Sequence, residues 1–398
     1  MSLVLSLEKR NAVLQRMAEL VIEKAPEILK ANLADLEGYN GKDLAMGDRL
    51  KVDDEKINGM VRSLEELAGQ PDPIGVERYA FKHENGMKVS NRTASFGTVM
   101  IIYESRPDVT IEAAGIAFKS GNKILLKGGK ESLRSNLALI NLWHRALEEN
   151  ECSKEWIAYL NYTRQETQEF LAQPTQKIDL IVPRGGERLI QFVKEHAKCP
   201  VIVSGRGNNF LYIAPSADVT MARDIIINAK TTKISACNAL DKVLIAADLP
   251  NKDEFLTRLA KELRSKNVAL YTDSALSKIE GAQTVTNEHI WEEEFLDYKI
   301  VLGEVEGLNA AIEKINTNSG GHSATIVTSN EEEASSFMAS VDSAAVYHNA
   351  STRFTDGGQF GLAGELAIST DKLHQRGPIG LQHLVTNKWY IKGNGQIR

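Results

Sequence analysis

The sequence predicts an α/β protein with parallel sheets, organised as two successive α/β domains behind a helical start. Three observations predict it. From Thr98 to His348 short apolar runs alternate with helical stretches, the rhythm of βαβ units. A length of 398 residues with 42% hydrophobic content is enough for two or three buried cores. Residues 5–36 carry their apolar side chains at helical rather than alternating spacing, so the chain opens without strands.

In that opening stretch Leu14, Met17, Leu20, Val21, Ile28 and Leu29 recur with charges between them, which predicts amphipathic helices lying on a surface. Over 78–103 the pattern changes to short extended segments around Glu84-Asn85-Gly86. Asn-Gly favours the positive-φ backbone of a tight turn, so a β-hairpin is expected here, of the kind that serves as an arm for a partner subunit. The runs 99–103, 123–127, 178–182 and 201–204 read as strands of a first sheet. After Asn209 the rhythm resumes with 210–214, 242–246, 268–271, 300–303, 323–328 and 344–348. The last run, 388–392, is placed to pair with the early hairpin. No repeat or low-complexity segment interrupts the pattern.

Charge excludes two partner classes. Forty-seven Lys and Arg against 53 Asp and Glu leave a net charge of −6, with both signs interleaved, so no basic face is available for a nucleic acid or an anionic membrane. No apolar run approaches the roughly 20 residues needed to span a bilayer. The first basic residue, Lys9, follows the short apolar start, the reverse of a secretory signal, which points to the cytoplasm. Three scattered cysteines, Cys152, Cys199 and Cys237, fit reduced thiols rather than a disulfide framework, and no metal-ligand spacing is present.

Four glycine clusters mark places where backbone can approach a ligand: Lys127-Gly128-Gly129-Lys130, Pro183-Arg184-Gly185-Gly186, Gly205-Arg206-Gly207-Asn208 and Gly357-Gly358. Ligands of open α/β sheets bind beyond the carboxyl ends of strands, and phosphate sits well on a helix N-terminus, so the first two clusters are nucleotide candidates. Neither is a full GxGxxG, and a tight turn is the competing reading of each. Among the thiols, Cys152 lies in a charged loop and Cys199 precedes Pro200. Cys237 differs, because Thr231-Thr232-Lys233-Ile234-Ser235-Ala236-Cys237-Asn238 is a polar, small-residue loop that can expose it as a nucleophile. A lone cysteine is more often a buried hydrophobe. His322 and His348 are possible partners for a thiol hydrolase, though histidines at strand ends are usually just hydrogen-bonded. Glu292-Glu293-Glu294 reads as a solvated charge run, and Asp356 as a turn residue.

Several of these segments together resemble the γ-glutamyl phosphate reductase (glutamate-5-semialdehyde dehydrogenase) family of the aldehyde dehydrogenase superfamily. They are Tyr103-Glu104-Ser105-Arg106-Pro107-Asp108-Val109-Thr110, Leu126-Lys127-Gly128-Gly129-Lys130-Glu131, Asn228-Ala229-Lys230, Cys237-Asn238-Ala239-Leu240, and the run from Asn349 through Ser351-Thr352-Arg353-Phe354-Thr355-Asp356-Gly357-Gly358 to Leu362. The likeness runs from about Leu7 to Gln396. It implies an aldehyde-dehydrogenase-like fold: a Rossmann-like NADPH-binding domain over 1–73 and 96–208, an α/β catalytic domain over 209–383, and a small β oligomerisation element from 74–95 and 384–398. It also implies a reaction, L-glutamate 5-phosphate plus NADPH giving L-glutamate 5-semialdehyde, phosphate and NADP, the second step of proline synthesis from glutamate. A separate glutamate 5-kinase is the expected supplier of the acyl phosphate, and a homo-oligomer the expected assembly.

Residue by residue, the resemblance makes Cys237 the nucleophile that captures the glutamyl group as a thioester. Backbone N–H groups near it, and the side-chain amide of Asn238 or Asn208, are candidate oxyanion donors; a turn role is the alternative for Asn208. Lys127 with Gly128 and Gly129 is expected at the adenosine ribose, and Pro183, Arg184, Gly185 and Gly186 where the cofactor phosphates pass. Glu294 is expected at the nicotinamide ribose, with Glu293 one residue away as the alternative. Arg106 and Arg353, with Ser105 and Thr352 beside them, are the expected clamps for the substrate's anions. In relatives that hydrolyse their thioester a glutamate precedes the cysteine, whereas the matching stretch here is Val203-Ser204-Gly205-Arg206-Gly207. Without that base water attack is slow and phosphate becomes the natural acyl partner. The chain departs from the family pattern at Asn209-Phe210 (usually Cys-His), Ile234 (usually Pro) and Ala363-Gly364 (usually Gly-Ala). A non-phosphorylating aldehyde dehydrogenase and a cofactor-free cysteine hydrolase or binding protein remain the competing readings.

Overall fold

A computed structural model describes residues 5–41, 44–362 and 364–398; Ala363, one of the departures above, lies outside the described residues. The chain divides into two compact units, one of residues 1–203, 361–367 and 379–398, the other of 204–360 and 368–378.

The first unit opens as expected with helices Leu7–Glu23, Ala25–Gly38 and Asp54–Gly69. Ser6 and Asp53 cap the first and third by accepting the Lys9 and Lys56 N–H groups. Leu14, Met17, Leu20, Val21 and Ile28 are buried, and Leu29 packs against the same core. That core also takes up a parallel sheet with spatial order Ile157–Tyr159, Lys123–Lys127, Thr98–Tyr103, Leu180–Arg184. In chain order this is 3-2-1-4, so the direction of winding reverses between Thr98–Tyr103 and Leu180–Arg184. The expected hairpin is present: Glu77–Lys82 pairs antiparallel with Lys88–Ser95. The final strand, Val385–Lys392, adds to Lys88–Ser95, as the sequence pattern indicated. Gly86 takes φ +91° at the turn, where a side chain would be strained.

Two differences from the sequence reading have simple causes. Residues 201–204 do not form a strand; Val201 makes one isolated bridge to Ile181. Pro200 lacks a donor and Gly205 and Gly207 follow, so the apolar run serves as the crossing into the second unit. The strand Ile157–Tyr159 was not anticipated, because three residues next to a charged loop carry too little periodicity.

The second unit is a wholly parallel sheet in the order Gln283–Thr284, Ala269–Thr272, Lys299–Val305, Leu240–Ala246, Asn209–Ile213, Ser323–Val327, Ala345–His348. Its central strands are buried on both faces, which is why they read as continuous apolar runs. Among the described residues no helix is long and apolar enough to cross a membrane.

Candidate active site

In the second unit the chemically interesting loops gather at the amino ends of the strands. Helix Val219–Thr231 returns to the sheet through a polar loop, and the Ala239 N–H donates to the Ala236 carbonyl at 2.9 Å. Cys237 and Asn238 are therefore the two central residues of a β-turn just before strand Leu240–Ala246. Cys237 is half-buried and in no disulfide. Burial raises the Cys152 and Cys199 thiols above their ordinary value, which makes those two poor nucleophiles.

Three neighbouring segments hold the turn. Gly207 lies flat against it: a Cβ there would collide with the Cys237 carbonyl and stand 2.6 Å from Glu294 Oε1. Asn209 Nδ2 lies 2.9, 2.8 and 2.7 Å from the carbonyls of Gly207, Cys237 and Ala239, its two hydrogens shared among the three acceptors. From the third side, Thr352 Oγ1 donates to the Asn238 carbonyl at 2.8 Å, while Asn238 Nδ2 donates to the carbonyls of Arg353 (3.2 Å) and Thr355 (2.9 Å). Arg353 thereby sits on a segment pinned to the residue after the thiol. Its Nε and Nη1 are buried with no hydrogen-bond partner.

This geometry corrects four expectations. The Asn238 amide is committed to two main-chain carbonyls, and Asn208 Nδ2 to those of Trp291 (2.6 Å) and Asn318 (2.9 Å), so neither side chain has a hydrogen left for an oxyanion. Thr352 is fully buried and braces the turn rather than facing a ligand. Ser105, 2% exposed, donates to Glu131 Oε2 at 2.7 Å and ties two loops of the first unit together. Arg106 differs from Arg353 in being paired, with Asp108 at 3.1 Å. His348 Nε2 donates to the Thr328 carbonyl, 3.0 Å away, the ordinary strand-end role. His322 is buried, pushed down to about 4 by desolvation, and hydrogen-bonded to Ser323 at 2.8 Å. Asp356 caps its own turn through the Gly358 N–H at 2.9 Å.

Glu294 belongs to a turn with unusual support. Asp241, 2% exposed, accepts the Phe295 N–H at 2.9 Å and pairs with buried Lys230 at 2.8 Å. Lys242, also buried, donates to the Glu293 carbonyl at 2.8 Å and lies 3.7 Å from the centre of the Phe295 ring. Glu293 itself is exposed, so of the two candidate glutamates it is Glu294 that is held against Gly207.

In the first unit Lys127 ends its strand, is pushed below its ordinary value by burial, and donates to the Gly128 carbonyl at 2.6 Å. Gly128 and Gly129 have no room for side chains: a Cβ would collide with Asn136 in the one case and Ser105 in the other. Pro183 and Arg184 end the edge strand across the winding reversal, where a missing donor is tolerated. Arg184 lies 3.8 Å from Glu365. Gly185 leaves 2.7 Å between a Cβ and the Glu104 side chain, and the Gly186 N–H, at the start of helix Glu187–His196, donates to Glu104 Oε1 at 2.8 Å.

Residues 4–277 match the aldehyde dehydrogenase family. The γ-glutamyl phosphate reductase of Enterococcus faecalis is 41% identical over 393 residues, covering 98% of this chain and 94% of that protein. That of Clostridium botulinum is 39% identical over 392 residues, with the same coverage. The chain belongs to the aldehyde dehydrogenase family, in its γ-glutamyl phosphate reductase branch. The crystal structure of γ-glutamyl phosphate reductase from Thermotoga maritima matches with a TM-score of 0.95 at 37% identity, covering 99% of this chain and 95% of that one. The aldehyde-dehydrogenase-like α/β fold expected from the motifs is therefore the fold found, and the chain is an oxidoreductase of this family.

The aldehyde dehydrogenase family uses NAD(P). The residues of the first unit fit such a group. Ligands of wound parallel sheets bind at the carboxyl edge where the winding reverses, and Gly185-Gly186 stands there. A carboxylate oxygen of Glu104 already occupies the Gly186 N–H, so this helix start accepts an anionic oxygen. Three residues escaped the sequence reading. Glu104 lay inside a quoted motif without a role, Asn209 appeared only as a departure, and Asp241 looked like one polar residue at a strand start; each becomes visible only through partners distant in sequence.

Proposed function

We propose that this protein reduces L-glutamate 5-phosphate to L-glutamate 5-semialdehyde with NADPH, releasing phosphate, as the second step of proline synthesis from glutamate. The observation that carries the reading is Arg353: a half-buried side chain whose guanidinium Nε and Nη1 are buried without a hydrogen-bond partner, tied through its backbone to the residue after Cys237. Buried N–H donors without partners are unfavourable unless a ligand supplies acceptors, and this substrate brings two anionic groups, a phosphate and a carboxylate.

The Cys237 sulfur attacks the acyl carbon; the bond from that carbon to the phosphate oxygen breaks, the thiol proton leaves with phosphate, and a thioester remains on the chain. Arg353 holds an anionic end of the substrate during this step. In this reading Lys127, Gly128, Gly129, Pro183, Arg184, Gly185 and Gly186 would hold the cofactor, and Glu294 its nicotinamide ribose. When bound, the reduced cofactor supplies hydride to the thioester carbon. Backbone N–H groups of the Cys237 turn, rather than asparagine side chains, then face the oxyanion, which collapses with cleavage of the carbon–sulfur bond to give aldehyde and thiolate. The thiolate regains a proton from solvent. The domain roles follow: NADPH binding by 1–73 and 96–208, catalysis by 209–383, and oligomerisation through 74–95 and 384–398. A cytoplasmic homo-oligomer supplied by glutamate 5-kinase completes the reading.

Glu294 gives the non-phosphorylating alternative its one support, since its carboxylate stands against the same glycine as the Cys237 backbone. Oxidation of the semialdehyde with NADP separates the two. The phosphorylating reading expects NADPH formation to require added phosphate or arsenate. Equal rates without either anion would establish water as the acyl acceptor and overturn the proposal.

A further inference from the structure

Asn209 is fully buried at the first position of strand Asn209–Ile213. The parallel ladder slips there: Asn209 is opposite Leu240 but Phe210 is opposite Lys242, leaving Asp241 as an extra residue on the neighbouring strand. Such irregularities re-aim side chains. Here the Asn209 amide reaches three carbonyls within 2.9 Å, belonging to Gly207, Cys237 and Ala239.

We propose that Asn209 is the positioning residue of the nucleophile: its amide fixes the peptide planes after Gly207, Cys237 and Ala239 and so sets the direction of the Cys237 turn. In a trans peptide the C=O and the following N–H point in opposite directions. A Cys237 carbonyl drawn toward Asn209 therefore turns the Asn238 N–H to the opposite side, and an Ala239 carbonyl drawn the same way does so for the Leu240 N–H. Thr352 fixes the intervening Asn238 carbonyl, so three successive carbonyls of the loop are held. The glycine at 207 belongs to the same device, because only without a Cβ can that segment share one amide with Cys237. Asn209 touches no reacting atom in this scheme; it acts through the backbone of Cys237.

The inference rests on Cys237 being the nucleophile, and the experiment keeps the two apart. Asn209→Ala removes the amide and Asn209→Ser restores one donor. Cys237→Ala serves as the control; all three are compared with the parent for turnover, KM and NADPH dissociation constant, and the two Asn209 variants also for alkylation of Cys237 by iodoacetamide. Mass spectrometry resolves Cys237 from Cys152 and Cys199 in the same sample. Misplacing a reacting group by about 1 Å costs about 100-fold. In Asn209→Ala, kcat per alkylatable Cys237 is expected to fall about 10- to 100-fold, with KM and NADPH affinity within twofold and alkylation within threefold of the parent. Asn209→Ser recovers part of the loss. A reagent that needs no alignment is thus indifferent to Asn209, whereas the acyl phosphate is not. Unchanged kcat per thiol in either Asn209 variant overturns the positioning role, and so does alkylation that falls in step with kcat, since Asn209 would then act on the thiol itself. Should Asn209→Ala not fold, Asn209→Ser decides by the same two criteria. Activity retained in Cys237→Ala overturns the underlying reading instead.

Discussion

Replacing Arg353 with methionine should move substrate affinity and stability in opposite directions. Its Nε and Nη1 are buried without partners, so the free protein bears the desolvation of two donors on a cation, about 1–3 kcal/mol each. Methionine fills similar volume without either donor, which predicts a gain in stability of the same order and a thermal midpoint higher by a few degrees, about 2–4 °C per kcal/mol at most. With substrate bound, the same two groups become charge-assisted hydrogen bonds to an anion, worth about 1.5–3 kcal/mol each. Their loss predicts a fall in kcat/KM for the acyl phosphate of about 10² to 10⁴. The two measurements are steady-state kinetics with glutamate 5-phosphate generated in situ and differential scanning calorimetry of the free protein. A variant with kcat/KM within threefold of the parent would show that Arg353 holds no substrate anion. A midpoint several degrees lower would show that the guanidinium has a structural partner and that the energetic argument has the wrong sign.

The buried lysine behind Glu294 makes a pH prediction. Burial pushes Lys242 down to about 7 from an ordinary value of 10.5, so between those pH values the folded chain binds fewer protons there than the unfolded chain. Stability therefore falls as pH drops from 10.5 toward 7 and levels off below. Lys242→Met should raise the urea midpoint most at pH 6 and least near pH 10; an equal gain at both, or a larger one at pH 10, refutes it. On the hairpin sheet Tyr79, Phe81, Trp389, Tyr390 and Ile391 are all exposed. If this sheet joins subunits, Trp389→Lys should weaken association about 30-fold or more, read by analytical ultracentrifugation; an unchanged mass distribution counts against the arm.

How much of this was legible before the fold depends on whether a signal is local. The helical start, the Asn85-Gly86 hairpin and the alternating strands are local patterns, and apart from the run 201–204 they appeared close to where the periodicity put them. The pairing of Val385–Lys392 with the hairpin was legible because an extended tail run had one obvious open strand to join. Cys237 stood out by the composition of its loop, and the family motifs gave it a role. The functions of Asn208, Asn238, Ser105 and Thr352 were misjudged for a shared reason. Sequence shows that a side chain can donate, but not that its hydrogens are already committed to carbonyls far along the chain. The carboxyl-edge rule had a similar limit. On the first sheet it points to Gly185-Gly186 after Leu180–Arg184, whereas the thiol, Gly207 and Glu294 all precede strands of the second.

The saturation of the asparagines bears on selectivity. Asn208, Asn209 and Asn238 commit their N–H groups to main-chain carbonyls and each leaves a buried Oδ1 unpaired. The asparagine side chains thus build a scaffold, with no hydrogen left to offer an anion. Attraction for an anion must come from backbone N–H groups and from Arg353, whose unpaired atoms lie on the segment these asparagines pin. A neutral aldehyde binding here would leave the guanidinium as unfavourable as before. An acyl phosphate with a distal carboxylate would relieve it. Discrimination in favour of the doubly anionic substrate would thus arise from guanidinium donors the free protein leaves unpaired, and it should shrink when those donors are removed more than when the apolar walls are reshaped.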